Sequence, residues 1–172
     1  MKKLTLIFAV AMIALTSKTF AQDRQEATET ASSTATVITP ISLTNVSGIN
    51  FGTIAVDATA PGTVIIASDA TYSTTGLVTV TAETTPAPAT FTVSGQDTYA
   101  YNIVLPTTDI ILSDEATTAN TMILNAITSN ASGSTGTGAE TFNVGGTLNV
   151  AGGQTAGTYT NADELSVTVY YN

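Results

Sequence analysis

The residues best suited to catalysis in this chain are two adjacent acidic pairs, Asp114–Glu115 and Asp163–Glu164. A glycosidase holds two carboxylates about 5–10 Å apart across a cleft, and burial raises the pKa of one of them. Because neighbouring residues of a strand point to opposite faces, neither pair forms such a dyad by itself. We interpret both pairs as acids of turns and strand edges, and the sequence predicts no catalytic residue.

The segment LSDEATTAN, residues 112–120, is the best candidate for a metal site, because it carries Asp114, Glu115 and Asn120. Calcium binds six or more oxygens, often from closely spaced carboxylates. The segment lacks the spacing of a regular calcium loop, so a solvated loop is the favoured interpretation and calcium binding is the alternative. The chain has no His and no Cys, the ordinary ligands of zinc. We therefore expect no metal site and no cofactor.

The missing residue types exclude further chemistry. Without His and Cys, no Ser–His or Cys–His nucleophile can be assembled and no disulfide can form. The only lysines are Lys2, Lys3 and Lys18, so the remainder of the chain has no amine for Schiff-base chemistry. The sequence predicts that the protein is not an enzyme.

The first 21 residues have the pattern of a secretory signal peptide. Lys2 and Lys3 precede an apolar run, LTLIFAVAMIAL, and small residues stand before a cleavage point after Ala21. The run is shorter than the ~20 apolar residues that a membrane-spanning helix needs. We predict an exported protein without a transmembrane helix after cleavage. No Cys is present to carry a lipid anchor.

Removal of residues 1–21 leaves a strongly acidic chain. Arg24 is then the single base against all 13 acids, which gives a formal charge of −12. Such a surface repels the phosphates of nucleic acid and the headgroups of anionic lipids. We expect no nucleic-acid partner, and we interpret the charge as a source of solubility.

The order along the chain predicts one domain after a leader. Residues 22–33, QDRQEATETASS, are polar without an apolar period and are predicted to be a flexible leader. A β-sandwich domain is predicted over residues 34–172. Its first strand is expected at 34–44, where Ala35, Val37, Thr39, Ile41 and Leu43 alternate inward and Pro40 indicates an edge.

Short alternating segments separated by turn residues fill the rest of the domain, and no amphipathic helix is evident. About eight or nine such strands favour an all-β antiparallel sandwich. The predicted strands after the first are 49–56, 62–68, 76–82, 89–95, 99–106, 121–128, 140–150 and the terminal 164–172.

Three local features carry specific expectations. The irregular stretch 129–139, SNASGSTGTGA, is interpreted as a mobile hairpin tip, with a binding loop as the alternative. Tyr99 and Tyr101 share a strand face with apolar residues, which favours core packing. In the terminal strand, alternation places Tyr170 outward and the following set inward: Leu165, Val167, Val169 and Tyr171.

Three stretches together resemble an uncharacterised exported bacterial β-sandwich domain family, which is similar to spore coat protein U and to chaperone–usher pilin subunits. They are LTNVSGINFGTI (43–54), ATFTVSGQDTYAYNIVLP (89–106) and GGTLNVAGGQTAGTYTNADELSVTVYYN (145–172). The shared signals are Phe51–Gly52 after a strand, Gly-Gly-Thr-Leu at 145–148, Gly-x-Tyr at 157–159 and the penultimate Tyr171.

The resemblance implies an immunoglobulin-like, pilin-like sandwich and a non-catalytic structural or adhesive role at the cell surface. Pilin subunits of that class lack a strand, which a neighbouring subunit donates. The leader 22–33 has no alternating apolar residues and the paired Cys of those pilins is absent, so the sequence departs from the pattern at two points. Residues 34–44 could be donated to a neighbour instead, although pairing within the chain is favoured.

Two functions therefore stay open at the level of the sequence. The first is a structural or adhesive surface protein, extracellular or periplasmic, that pairs strands with itself or with other surface subunits. The alternative is a binding module for a small ligand or glycan.

Overall fold

The computed structural model describes residues 26–161 and 165–172. The predicted signal peptide, the start of the leader and the pair Asp163–Glu164 lie outside the described residues. Residues 26–36 have no regular secondary structure and are exposed throughout. The β-structure belongs to a separate compact unit that begins at Val37.

Among the described residues every regular element is a β-strand, and all strand pairs are antiparallel. The strands are β1 (Ser42–Ser47), β2 (Ile54–Ala55), β3 (Gly62–Ile66), β4 (Tyr72–Gly76), β5 (Thr79–Val80), β6 (Ala89–Ser94), β7 (Tyr101–Val104), β8 (Ile110–Asp114), β9 (Thr121–Ser129), β10 (Ala139–Val150), β11 (Tyr159–Thr160) and β12 (Thr168–Tyr171). The prediction of an all-β antiparallel fold is confirmed.

The long strand β10 organises the large sheet, whose main path is β1-β6-β10-β9-β8-β11. Its first half pairs with β6, with Phe142 opposite Phe91, and its second half pairs with β3 along the same edge. Strand β9 occupies the opposite edge. The change of partner falls at Gly145, where a Cβ would lie 2.2 Å from the backbone oxygen of Ile66, so only glycine fits.

Two smaller sheets, β7–β12 and β2–β5, cover the inner face of the large sheet and form the second layer of the sandwich. The first core cluster joins the large sheet to β2 and β5 and contains Phe51, Val64, Ile66, Val78, Ile110, Met122, Leu124, Leu148 and Val150. The second core cluster joins it to β7 and β12 and contains Ala89, Phe91, Val93, Tyr101, Phe142 and Val144. Burial of these side chains provides the main stabilisation of the fold.

The terminal strand pairs within its own chain. In β12, Val169 lies opposite Ile103 and Tyr171 lies opposite Tyr101 of β7. Leu165, Val167, Val169 and Tyr171 pack against the second core cluster, whereas Tyr170 is 49% exposed. The predicted alternation of this strand is confirmed.

The predicted first strand at 34–44 is wrong in its extent. Residues 34–41 form no strand, and Val37 is 95% exposed. Of the apolar side chains expected to face inward, only Ile41 and Leu43 pack against the core. The reason lies at Thr39, which precedes a proline and whose backbone binds side chains instead of a neighbouring strand.

Three strands were not predicted from the pattern: β4, β8 and β11. Strand β4, Tyr-Ser-Thr-Thr-Gly, carries no apolar alternation and is exposed on both faces. Strand β11 has two residues, too few for a period to be recognised. The predicted strand 49–56 contains only β2, and the predicted strand 76–82 contains β5 and the last residue of β4. Most of the remaining backbone in both segments is irregular.

Candidate functional site

A groove of about 1070 Å³ opens into the core of the sandwich. One wall is formed by residues 49–56, around β2, and another by β8. Its floor is built from side chains of the first core cluster, among them Phe51, Ile110, Met122, Leu124 and Leu148. The groove therefore lies directly over buried core side chains, each of which is 8% exposed or less.

Among the described residues, neither wall is paired with a full strand along the edge that faces the groove. On its outer edge the segment 50–55 is paired, with Asn50 bridged to Ala87 and β2 bound to β5. Strand β8 is paired along one edge with β9, but on the other edge β11 reaches only Ser113 and Asp114. Nearer the start of β8, the backbone oxygen of Ile111 accepts a hydrogen bond from the Asn161 side chain.

Polar side chains on the rim are bonded to one another. The hydroxyls of Thr53 and Thr84 lie 2.9 Å apart across one wall. At the other end Gln154 Nε2 donates to the Tyr159 hydroxyl at 2.8 Å, and that hydroxyl donates to the backbone oxygen of Thr155 at 2.7 Å. These bonds hold the rim in place, so the groove can receive an apolar segment without rebuilding its walls.

Asp114 and Glu115, the acidic pair that the structure describes, lie in different surroundings. Asp114, the last residue of β8, is only 3% exposed, and its Oδ1 accepts the Ala116 N–H at 3.1 Å. The cause is a close approach of the backbone at Gly157, which covers the carboxylate. Glu115 lines the groove rim and accepts a hydrogen bond from Thr160.

No metal-binding cluster involves these residues. Asn120 meets Asp114 only through its backbone, as its carbonyl accepts the Asp114 N–H at 3.0 Å. Within residues 26–161 and 165–172, no group of three or more His, Cys, Asp or Glu side chains converges on a point that could hold a metal ion. What the groove offers a partner is an apolar floor and the backbone groups of β8.

A protein family described as a domain of unknown function, DUF4402, matches residues 41–171. The chain belongs to the DUF4402 family. The match runs from the residue before β1 to the last residue of β12, so it covers the whole sandwich. No curated protein and no solved structure matches the sequence closely enough to establish a relationship. In the part of the DUF4402 chain that the structure describes, no helix is long and apolar enough to cross a membrane.

The loop 129–139 of the DUF4402 domain is fastened to residues 95–101 instead of projecting as a free tip. Gly133 O accepts the Tyr101 N–H at 2.9 Å, and Thr135, which is fully buried, donates its hydroxyl to Gln96 O at 2.5 Å. Glu140 accepts the Tyr101 hydroxyl proton, and burial together with this carboxylate raises the pKa of Tyr101. The Gly/Ser/Thr composition did not reveal these contacts, because no sequence pattern distinguishes a buried threonine from an exposed one.

The aromatic residues form no exposed platform in the groove. Tyr101 is buried as predicted, but Tyr99 is 41% exposed and meets Tyr171 edge-to-face at 5.6 Å. The groove itself contains Phe51, which is buried, and Tyr159, which is half-buried and bonded to its neighbours. Sugar recognition through stacking normally uses exposed rings, so this arrangement does not favour a glycan.

Proposed function

We propose that this DUF4402 protein is a non-catalytic structural or adhesive component of the cell surface, pilin-like or coat-like, that accepts a β-strand from another surface subunit. The observation that carries the proposal is the open groove between the segment 49–56 and β8. An apolar floor of core residues beside a partly unpaired strand is the arrangement in which β-strand addition occurs.

The contacts define how an added strand would bind. Its backbone would pair with β8 at Ile110–Leu112, where the Asn161 side chain now donates a hydrogen bond to the backbone oxygen of Ile111. Every second side chain of that strand would point to the floor formed by Met122 and Leu124. Backbone pairing supplies affinity, and the apolar pockets select the residues that fit.

The contacts of the N-terminal segment favour a different subunit over a second copy as the donor. Residues 26–36 contain no large apolar side chain. Beyond them, Thr39 is bound to its own domain, since its N–H donates to Gln96 Oε1 at 3.1 Å and its carbonyl accepts the Tyr171 hydroxyl at 2.8 Å. Val37 and Ile38 are the two large apolar residues between that stretch and Thr39, and they would give a donated segment little apolar area to bury.

Export supports the same role. The predicted signal peptide and the formal charge of −12 after its removal fit a soluble domain displayed outside the cytoplasm. The absence of His and Cys from the chain removes the commonest nucleophile and general-base pairs. We propose an extracellular, surface or periplasmic location on this basis.

Two neighbouring positions of β8 provide the test. Leu112 lines the groove, whereas Ile111 is 49% exposed on the opposite face. We expect SDS-resistant high-mass species in unboiled surface extracts of the producing cells. Leu112→Asp should abolish these species, and Ile111→Asp should leave them unchanged. Circular dichroism and thermal melts establish that both variants are folded.

The proposal fails if the mature wild-type protein gives only a monomer band in unboiled surface extracts. It also fails if Leu112→Asp and Ile111→Asp, both folded, affect the high-mass species equally. Either outcome would show that the groove does not mediate assembly.

The groove volume also supports the second function, a binding module for a small ligand. Small-molecule sites are typically about 300–1,000 Å³, and this groove is slightly larger than that range. A ligand of this kind should raise the melting temperature of the folded protein, and Leu112→Asp should remove the shift.

A further inference from the structure

Strand β4 is an unprotected edge of the large sheet. It pairs with β3 alone, and all five of its residues are exposed. The strand contains no charged residue, no proline and no register shift. Natural proteins usually protect such an edge with one of these features, because a free row of N–H and C=O groups pairs readily with another chain.

The other described edges of the large sheet are irregular or partly occupied. Strand β1 has a bulge at Val46, since Asn45 lies opposite Phe91 and Ser47 lies opposite Thr90. Such a bulge disrupts the regular ladder that a partner strand needs. At β8, β11 and the Asn161 side chain occupy part of the edge. Among the described edges, strand β4 therefore combines a regular ladder with one side that is unpaired over its full length.

The β3–β4 hairpin shows which backbone groups of β4 point outward. The Ala67 N–H donates to Thr71 O at 2.8 Å, so Ala67 and Thr71 form the hydrogen-bonded pair next to the turn. Bonded and non-bonded pairs alternate along an antiparallel ladder. Ser73 and Thr75 therefore bond to β3, and the N–H and C=O groups of Tyr72, Thr74 and Gly76 point to the open side.

The sequence of β4 is complementary to itself. When two copies pair antiparallel about Thr74, Thr74 faces its counterpart, Ser73 faces Thr75 and Tyr72 faces Gly76. Cross-strand pairs of Thr and Ser stabilise antiparallel sheets, and an aromatic ring covers the exposed backbone of an edge glycine. Tyr72 is 48% exposed and available for this contact.

Charge also favours a second copy at this edge. The chain is strongly acidic, so most of its surfaces repel a copy of itself. Residues 70–82 carry no charge, and the nearest acids are Asp69 in the hairpin turn and Glu83. A two-fold contact at β4 brings two uncharged strands together.

We propose that β4 is a self-association site at which two copies of the chain pair antiparallel about Thr74, joining their large sheets into one continuous sheet. The contact is isologous, because both copies contribute the same residues. It uses a different edge from the groove and does not depend on strand addition there. A protein that does both would assemble in two directions.

Sedimentation equilibrium of the mature chain, residues 22–172, tests the proposal. A contact of one strand pair is small, so we expect half-association between about 10 µM and about 1 mM. The average mass should rise toward that of a dimer in this range. The amide signals of Thr74 and its outward-facing neighbours should shift with concentration in nuclear magnetic resonance spectra.

Two variants and a matched control make the test specific. Thr74→Glu places two like charges opposite each other, and Thr74→Pro removes an outward N–H without removing a bond to β3. Both should stay monomeric throughout the range. Thr44→Glu adds the same charge to the bulged edge β1 and should associate like the wild type.

Three outcomes would overturn the proposal. The first is a wild-type protein that remains monomeric at about 1 mM, the upper end of the expected concentration range. The second is a folded Thr74→Glu variant that still associates. The third is equal loss of association in Thr44→Glu, which would indicate a general effect of charge. None of these outcomes bears on the groove, because Thr74 does not line it.

Discussion

The most informative perturbation is at Gly95, which lies against the hydroxyl of Tyr171. That hydroxyl accepts the Gln96 N–H at 2.6 Å and donates to Thr39 O at 2.8 Å. A Cβ at Gly95 would lie 2.2 Å from the hydroxyl oxygen. Since ordinary contact needs about 3.5 Å, Gly95→Ala must move the oxygen by about 1 Å, which breaks both hydrogen bonds.

The free-energy costs follow from these two bonds. Tyr171→Phe removes the hydroxyl, keeps the ring and leaves two backbone groups without this partner, which costs about 2 kcal/mol. Gly95→Ala adds the strain of overpacking and should cost about 2–4 kcal/mol. For a domain of this size, 1 kcal/mol corresponds to a change of about 2–4 °C in melting temperature.

The double variant gives the sharper result. Once the hydroxyl is absent, the next ring atom lies 3.1 Å from the Cβ that Gly95→Ala introduces, so most of the clash is relieved. The combined cost should fall short of the sum of the single costs by at least about 1 kcal/mol. Urea denaturation of the four proteins measures each free energy of unfolding.

Gly48→Ala is the matched control, because no atom lies within 4 Å of its Cβ position. It should be neutral or stabilise the protein by up to about 1 kcal/mol. The reasoning is refuted if Gly95→Ala behaves like Gly48→Ala. Additive costs of the two single variants, within about 0.5 kcal/mol, would refute it as well.

Three further predictions concern other parts of the sandwich. Because the pKa of Tyr101 is raised in the folded protein, the Tyr101 hydroxyl of the unfolded chain loses its proton at a lower pH. The free energy of unfolding should therefore fall as the pH rises above the ordinary value of 10.0. Tyr101→Phe should reduce this fall in denaturation experiments. The hydrogen bond from the Thr71 hydroxyl is the main cause that lowers the pKa of Asp69, so Thr71→Val should raise that pKa in a carboxylate titration. In the wild type, the stability that the ionised Asp69 contributes should be lost as the pH falls through the lowered pKa. Phe142→Ala removes a ring that is 1% exposed and stacked on Phe91, and it should lower the free energy of unfolding by about 3–5 kcal/mol in urea titrations; a loss under about 1 kcal/mol would contradict its place in the core.

The strands that are predicted well from the sequence are those with one buried face. In β6 the side chains of Ala89, Phe91 and Val93 are buried and alternate with threonines, so a period of two marks both the strand and its inner face. Strand β12 is predicted well for the same reason. Burial on one face determines the residue types directly, so the sequence pattern reports it.

The groove could not be predicted, because it results from pairing that is missing and not from a motif. Phe51 and Leu124 look like ordinary core residues in the sequence, and only the topology places them on an open floor. Asp114 illustrates the same limit, since its burial depends on the close approach of Gly157, 43 positions later in the chain. Local pattern carries no information about such distant contacts.

The course of β10 has a consequence for how the domain unfolds. Phe142 and Val144 belong to the second core cluster, and Leu148 and Val150 of the same strand belong to the first. Because both core clusters include side chains of β10, separation of either cluster from the large sheet would disturb the other cluster as well. The two halves of the sandwich should therefore open as one cooperative unit, with amides on both sides of Gly145 exchanging their hydrogens at the same slow rate.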